Sequence, residues 1–220
     1  MIGEFPLKVP YFSRHGHRCI TADSTKWAYI PIHKNASSNG REFFVNTCGW
    51  NLEYDWCEIN ASGHVNDTTK TKDKQFLIFM REPISRWISG VSEYFNILGK
   101  PLDEGMYDLL VDGCSFDTHT EPQSSFLSEL EYKHCKVIMM DEHFVPNLQS
   151  FVEGELGADF SKFNMLPDIV SAEERSMRSE LKGQLLNNPQ YLNKLKFHLF
   201  GDYYLLNRFN INLKPWHEYK

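Results

Sequence analysis

No apolar run in this chain approaches the roughly 18–20 residues needed to cross a bilayer. The first residues, broken up by Pro6, Lys8 and Pro10, also lack the apolar stretch of a secretory leader. The chain therefore reads as soluble. Cysteine is scarce: Cys19, Cys48, Cys57, Cys114 and Cys135 are scattered, odd in number and without Cys-x-x-Cys spacing, which argues against zinc or dithiol chemistry and for reduced thiols. Positive charge is not in excess either. A formal net charge of −6 excludes the broad basic field that a general nucleic-acid or anionic-membrane binder requires. No Gly-x-x-x-x-Gly-Lys-Ser/Thr segment occurs, which disfavours an ordinary magnesium-dependent nucleoside triphosphate site. Any anion site must then be local.

What is present is a pair of strand-to-helix junctions. Trp27-Ala28-Tyr29-Ile30-Pro31-Ile32 runs into His33-Lys34-Asn35-Ala36-Ser37-Ser38, and Phe76-Leu77-Ile78-Phe79-Met80 runs into Arg81-Glu82-Pro83-Ile84-Ser85-Arg86-Trp87-Ile88-Ser89. Each apolar run ends in a cation and small hydroxyl residues where a helix is due to begin. There, unpaired backbone N–H groups and the helix dipole favour a phosphate or sulfate. Two such sites suggest one ligand with two anionic ends.

The remainder organises around them. With 220 residues, 41% hydrophobic and 24% charged, one globular domain is expected over 25–220, preceded by an arm or loop over 1–24. Within that arm, Arg14-His15-Gly16-His17-Arg18 reads as a solvated basic loop, since no further ligand follows at chelating spacing. Asn39 followed three residues later by Glu42 predicts a capping box and a helix start near Ser38 or Asn39. A strand is expected around Leu52 to Ile59 and a third core strand over Lys136 to Met140. Pro146 is expected to open a helix through Leu148, Phe151 and Val152, Ser171 with Glu174 to cap another, and Asn188 to Phe209 to form one long amphipathic helix. Ile84, Trp87, Ile88, Val91 and Phe95 repeat at helical spacing and leave Ser85, Ser89 and Ser92 on a different face. Phe43, Phe44, Trp87 and Phe95 read as core, and Arg86 either as a nucleotide contact or, the favoured reading, as a structural cation pairing with Glu82 or Glu93. Strands alternating with helices predict an α/β fold with a mainly parallel sheet.

The two junctions resemble the donor-binding motifs of sulfotransferases. Ile30 to Ser38 is similar to the loop that holds a 5′-phosphosulfate, and Met80 to Ser89 to the motif that holds a 3′-phosphate. The Arg-Glu-Pro version with a second arginine is most similar to carbohydrate sulfotransferases. Asp117-Thr118-His119-Thr120-Glu121-Pro122-Gln123, with its His-x-x-Pro-Gln pattern, and Gly201-Asp202-Tyr203-Tyr204-Leu205 are shorter echoes, so the resemblance spans about residues 27–209. It implies a P-loop-like three-layer fold and the donor 3′-phosphoadenosine 5′-phosphosulfate, leaving adenosine 3′,5′-bisphosphate, with no metal. It also implies an acceptor hydroxyl, on a glycan by likeness to the carbohydrate enzymes; the charge and the apolar runs, by contrast, are what point to no nucleic-acid partner and no membrane segment in this chain, the latter a departure from the anchored carbohydrate enzymes. Lys34, Asn35, Ala36, Ser37 and Ser38 would hold the 5′ end, and Arg81 and Ser89 the 3′-phosphate.

Lys34 would also stabilise the leaving phosphate oxygen, while a histidine is the natural base for the acceptor. His64, placed like a Gly-His segment carrying the base in uronyl 2-O-sulfotransferases, is the first candidate. His119 is the rival, and Glu53, Glu58 and Glu121 are carboxylate alternatives. The setting is either cytoplasmic or that of the soluble catalytic part of an anchored enzyme. The competing functions are a P-loop-type small-molecule or nucleotide kinase and a non-catalytic nucleotide-binding module.

Overall fold

The structure is a computed structural model that describes residues 17–56, 73–99, 119–127, 134–163 and 170–219. Five strands are described: β1 (His17–Thr21), β2 (Trp27–Ile30), β3 (Asn51–Trp56), β4 (Gln75–Met80) and β5 (Cys135–Met139). They lie side by side in the order β3-β1-β2-β4-β5. β2, β4 and β5 run parallel, with Ile30 opposite Ile78 and Met80 opposite Met139. β1 is antiparallel to both its neighbours. The sheet is thus open and mixed, where the strand-helix alternation predicts a mainly parallel one. The difference comes from His17–Thr21, which the composition assigns to a loop. Its pairing with β2, Ile20 opposite Tyr29, makes it a strand although its first two residues are polar.

Both faces of the sheet are covered, and the pleat of β4 shows how. Phe76, Ile78 and Met80 point to one side and pack with Phe126, Leu127, Leu205 and Leu206. Leu77 and Phe79 point to the other and pack with Tyr29, Phe43, Phe44, Phe144, Leu148 and Phe151. Burial of each such side chain favours folding by about 1.5–3 kcal/mol, so the centre of the sheet is the stable frame. Phe43 and Phe44 are core residues, as are Trp87 and Phe95. β5 is an edge strand among those described, and its exposed Lys136 suits an edge.

Six α-helices are described: α1 (Ser37–Glu42), α2 (Pro83–Leu98), α3 (Phe144–Phe151), α4 (Ala172–Asn187), α5 (Pro189–His198) and α6 (Phe200–Arg208). Among the described residues no helix is long and apolar enough to cross a membrane. Pro83 opens α2, and the Glu82 side chain caps it by accepting the Ser85 N–H at 2.6 Å. Ile84, Trp87, Ile88, Val91 and Phe95 form the predicted stripe, packed on Leu181, Leu185, Leu195, Leu199 and Trp216. Ser85, Ser89 and Ser92 are buried too. Ser171 caps α4 by accepting the Glu174 N–H at 3.0 Å, as its spacing predicts.

Three helix boundaries differ from expectation. α1 starts at Ser37 behind Ala36, which is left-handed at φ 51° and makes no capping bond, so the Asn39–Glu42 box is not what starts it. A π turn, Phe43–Thr47, follows, and its wider turn lets the adjacent Phe43 and Phe44 both enter the core. α3 begins at Phe144, two residues ahead of Pro146. There the missing N–H is still one of the unpaired first-turn donors. The expected helix from Asn188 to Phe209 is two helices, because Leu199 at φ −90° and ψ 11° leaves helical geometry between α5 and α6.

Candidate functional site

Because β2 and β4 are adjacent and parallel, the loops that follow them leave the same edge of the sheet. In an open α/β sheet this carboxyl edge is where ligands sit. After β2 the chain turns sharply, with the Asn35 N–H donating to the Ile32 carbonyl at 3.1 Å. Lys34 and Ala36 are both left-handed, at φ 66° and 51°. Non-glycine residues rarely hold that conformation without compensating contacts. Asn35 supplies them: fully buried, its Nδ2 donates to the Phe79 carbonyl at 2.8 Å and to Gln123 Oε1 at 2.6 Å. This residue, expected to face the donor, instead ties the loop to the end of β4. Its Oδ1 is buried without a hydrogen bond. Ser37 is half-buried and Ser38 exposed at the head of α1.

The 119–127 segment locks the second junction. Gln123 Oε1 accepts the Arg81 N–H at 3.0 Å, while Gln123 Nε2 donates to the Arg81 carbonyl at 2.9 Å. The amide thus imitates a neighbouring strand at the point where β4 ends. Gln123 is itself held by Asp202 in the first turn of α6, whose carboxylate accepts the N–H groups of Gln123 at 2.9 Å and Ser124 at 2.7 Å. The break at Leu199 lets Asp202 begin a new helix there. Tyr203, next to it, donates to Glu82 Oε1 at 2.7 Å, and burial raises the Glu82 carboxyl above its ordinary value.

Arg86 is wholly buried and donates to two loop carbonyls. Its Nε donates to the His33 carbonyl at 2.9 Å and its Nη1 to the Glu121 carbonyl at 2.5 Å, so one side chain holds both loops. One turn further along α2, Gly90 lies so close to the segment that an added Cβ would stand 2.1 Å from the His119 oxygen.

These clamps bring Lys34, Glu93 and His119 together. Lys34 Nζ lies 3.1 Å and His119 Nε2 3.5 Å from the same Glu93 Oε2. That oxygen is buried and meets hydrogen-bond geometry with neither. The His33 ring meets the His119 ring edge-on at 4.7 Å. One turn before Glu93 on α2, Ser89 is 1% exposed and its hydroxyl makes no hydrogen bond, whereas Ser92 back-bonds to the Ile88 carbonyl at 2.6 Å. A buried hydroxyl left unpaired costs about 1–3 kcal/mol and marks a place where a ligand would supply the bond. Arg81 is half-buried at the mouth of the same junction.

His64 and Glu58 lie outside the described residues, and Glu53 is placed on β3, opposite Cys19. Glu121 is half-buried beside His119 in sequence, with its carbonyl on Arg86. Sequence reasoning missed Glu93 as part of the site, and the roles of Gln123, Asp202 and Tyr203. The available signals were the i, i+4 step from Ser89 to Glu93 and the two short echoes, which turn out to brace the junctions. No protein-family model, curated protein or solved structure matches this chain.

Proposed function

We propose that this protein is a sulfotransferase with a P-loop-like sheet, moving a sulfuryl group from 3′-phosphoadenosine 5′-phosphosulfate to an acceptor hydroxyl, most fittingly on a glycan. The observation that carries the reading is that Lys34, from the first junction, reaches α2 within one turn of the unpaired, buried Ser89 hydroxyl of the second. One nucleotide with a 5′ and a 3′ anion fits such a pair. Lys34, backed by the Ser37 and Ser38 hydroxyls, meets the 5′-phosphosulfate and stabilises charge on the leaving phosphate oxygen. Arg81 and Ser89 hold the 3′-phosphate. Asn35 and Ala36 serve by shaping the loop. His119 takes the proton of the acceptor hydroxyl, with His64 as its competitor for that role.

Calorimetry with adenosine 3′,5′-bisphosphate against adenosine 5′-phosphate tests the assignment. The bisphosphate is expected to bind at least about tenfold more tightly, because a charge-assisted 3′-phosphate contact contributes roughly 1.5–3 kcal/mol. Ser89→Ala should erase most of that preference, and Lys34→Ala should weaken both ligands. Equal binding of the two nucleotides by the unaltered protein would remove the case for a 3′-phosphate site and for the function.

A further inference from the structure

Two helices of this acidic chain carry an outer surface of the opposite character. Phe197, Phe200 and Tyr204 follow one another at three and four residues across α5 and α6, the spacing of one helical side. The bonds from the Leu199 N–H to the Leu195 carbonyl and from the Tyr203 N–H to the Leu199 carbonyl keep that spacing across the break between the helices. The opposite side is already used: Leu195 and Leu199 pack against α2, and Leu205 and Leu206 against the sheet. The rings are left outside, at 85%, 60% and 37% exposure. Phe200 and Tyr204 meet with centroids 6.3 Å apart, so these rings form a patch and not scattered single contacts.

The charge around the rings is of one sign. From Leu181 to His217 the chain has five cations, Lys182, Lys194, Lys196, Arg208 and Lys214, and one acid, Asp202. Asp202 is fully buried on the Gln123 and Ser124 N–H groups. Lys196 precedes the first ring and Arg208 lies one turn beyond the last, and both are exposed. An occupant of this surface must then be apolar in its depth and negative at its rim. An anionic lipid surface is both. A polysaccharide would need carboxylates or amides among the rings to bond its hydroxyls, and the outward residues from His198 to Tyr203 offer none. The net charge of −6 does not forbid a lipid surface, because charges more than about 8 Å away are screened at physiological salt and only the patch is met.

We propose that Phe197, Phe200 and Tyr204, flanked by Lys196 and Arg208, form a peripheral docking surface for an anionic membrane. The two phenylalanine rings enter the boundary between headgroups and acyl chains, and Tyr204 stays at headgroup level with its hydroxyl in water. Lys196 and Arg208 extend their charges to the phosphate layer. The helices lie on the membrane and do not cross it. Attachment by so few groups is weak, reversible and sensitive to salt. The inference stands apart from the sulfotransferase reading, since no residue of the two junctions belongs to the patch.

Sedimentation of the full chain with lipid vesicles tests it. Phosphatidylcholine vesicles with about one-third phosphatidylserine are expected to bind at least about tenfold more tightly than phosphatidylcholine alone, since each cation near an anionic surface contributes about fivefold. Raising the salt from about 0.1 to about 1 M should remove most of that preference, as the screening length falls from about 10 to about 3 Å. Phe197→Ser with Phe200→Ser should weaken binding at least about tenfold at an unchanged melting temperature, because both rings lie outside the core. Lys196→Gln with Arg208→Gln should bring the mixed vesicles close to the neutral ones. No binding of the unaltered chain to the mixed vesicles overturns the proposal, as does binding that both double variants retain in full. A chain that ignores the vesicles but binds dextran sulfate through these residues, or dimerises through them, also overturns it and gives the surface to a soluble polyanion or to a second copy.

Discussion

At the scale of single residues, the site is held by polar side chains that touch no ligand in the proposed reaction. Asp202 is the clearest case. It is fully buried and accepts N–H bonds from Gln123 and Ser124, and Gln123 in turn completes the backbone of Arg81 and holds Asn35. Removing the carboxylate leaves those donors buried without partners, at about 1–3 kcal/mol for each unpaired group. Asp202→Ala is therefore expected to lose about 3 kcal/mol by urea denaturation. Nucleotide binding should weaken with it, because the loop carrying Lys34 and the end of β4 share the Gln123 amide. An Asp202→Ala protein as stable as the original would show that the clamp is not what supports the junctions.

At the scale of elements, α2 organises the site through successive turns of one helix. Arg86 holds two loop carbonyls, Gly90 lets the His119 segment touch the helix backbone, and Glu93 meets Lys34 and His119. Glycine inside a helix normally costs about 1 kcal/mol relative to alanine. Gly183, within α4, has nothing within 4 Å of its Cβ position, so Gly183→Ala should stabilise by roughly that amount. Gly90→Ala should do the opposite. Its methyl would stand 2.1 Å from a carbonyl oxygen, and such overpacking typically costs about 1–3 kcal/mol. Thermal melts of the two variants moving in opposite directions would confirm that Gly90 is there for contact; a shared upward shift would refute it.

Much at this scale is legible in the sequence. The stripe Ile84, Trp87, Ile88, Val91 and Phe95, the opening of α2 at Pro83 and the Ser171 cap follow from periodicity and capping chemistry alone. The strand β1 and the break at Leu199 do not, because both depend on distant partners. β1 needs β2 and β3 beside it, and α6 starts where Asp202 can meet Gln123.

At the scale of the whole molecule, the acidic chain concentrates local cations, Lys34, Arg81 and Arg86, at one edge of its sheet, so the net charge of −6 says nothing about that edge. Titration of a buried group also links the site to global stability. Burial pushes the imidazole of His198 below its ordinary 6.5, against the pull of nearby Asp202. The unfolded chain then takes up that proton more readily than the folded one. Stability is full above pH 6.5 and is lost as the pH falls through the lowered folded value. The slope from this one group is at most about 1.4 kcal/mol per pH unit. Denaturation at pH 7 and 5.5 should show a smaller acid loss in His198→Gln than in the original, and equal losses would exclude His198 as a source. The thiols of Cys48 and Cys135 do not titrate near neutrality, since burial raises them to about 11 and about 12.

The sequence by itself determined the local matters: apolar runs that must be strands, a helix opened by proline and glutamate, and cations and hydroxyls placed where two strands end. These depend on residues within a few positions of one another, and short-range sterics and periodicity decide them. The tertiary structure alone decided which distant groups meet. The parallel pairing of β2 with β4 set both junctions on one edge, Gln123 and Asp202 fastened them, and the close approach at Gly90 brought His119 beside Glu93 and Lys34. Charge carries no periodicity, so an ion pair between residues 34 and 93 leaves no pattern in the chain. It arises only once packing has removed the water between them.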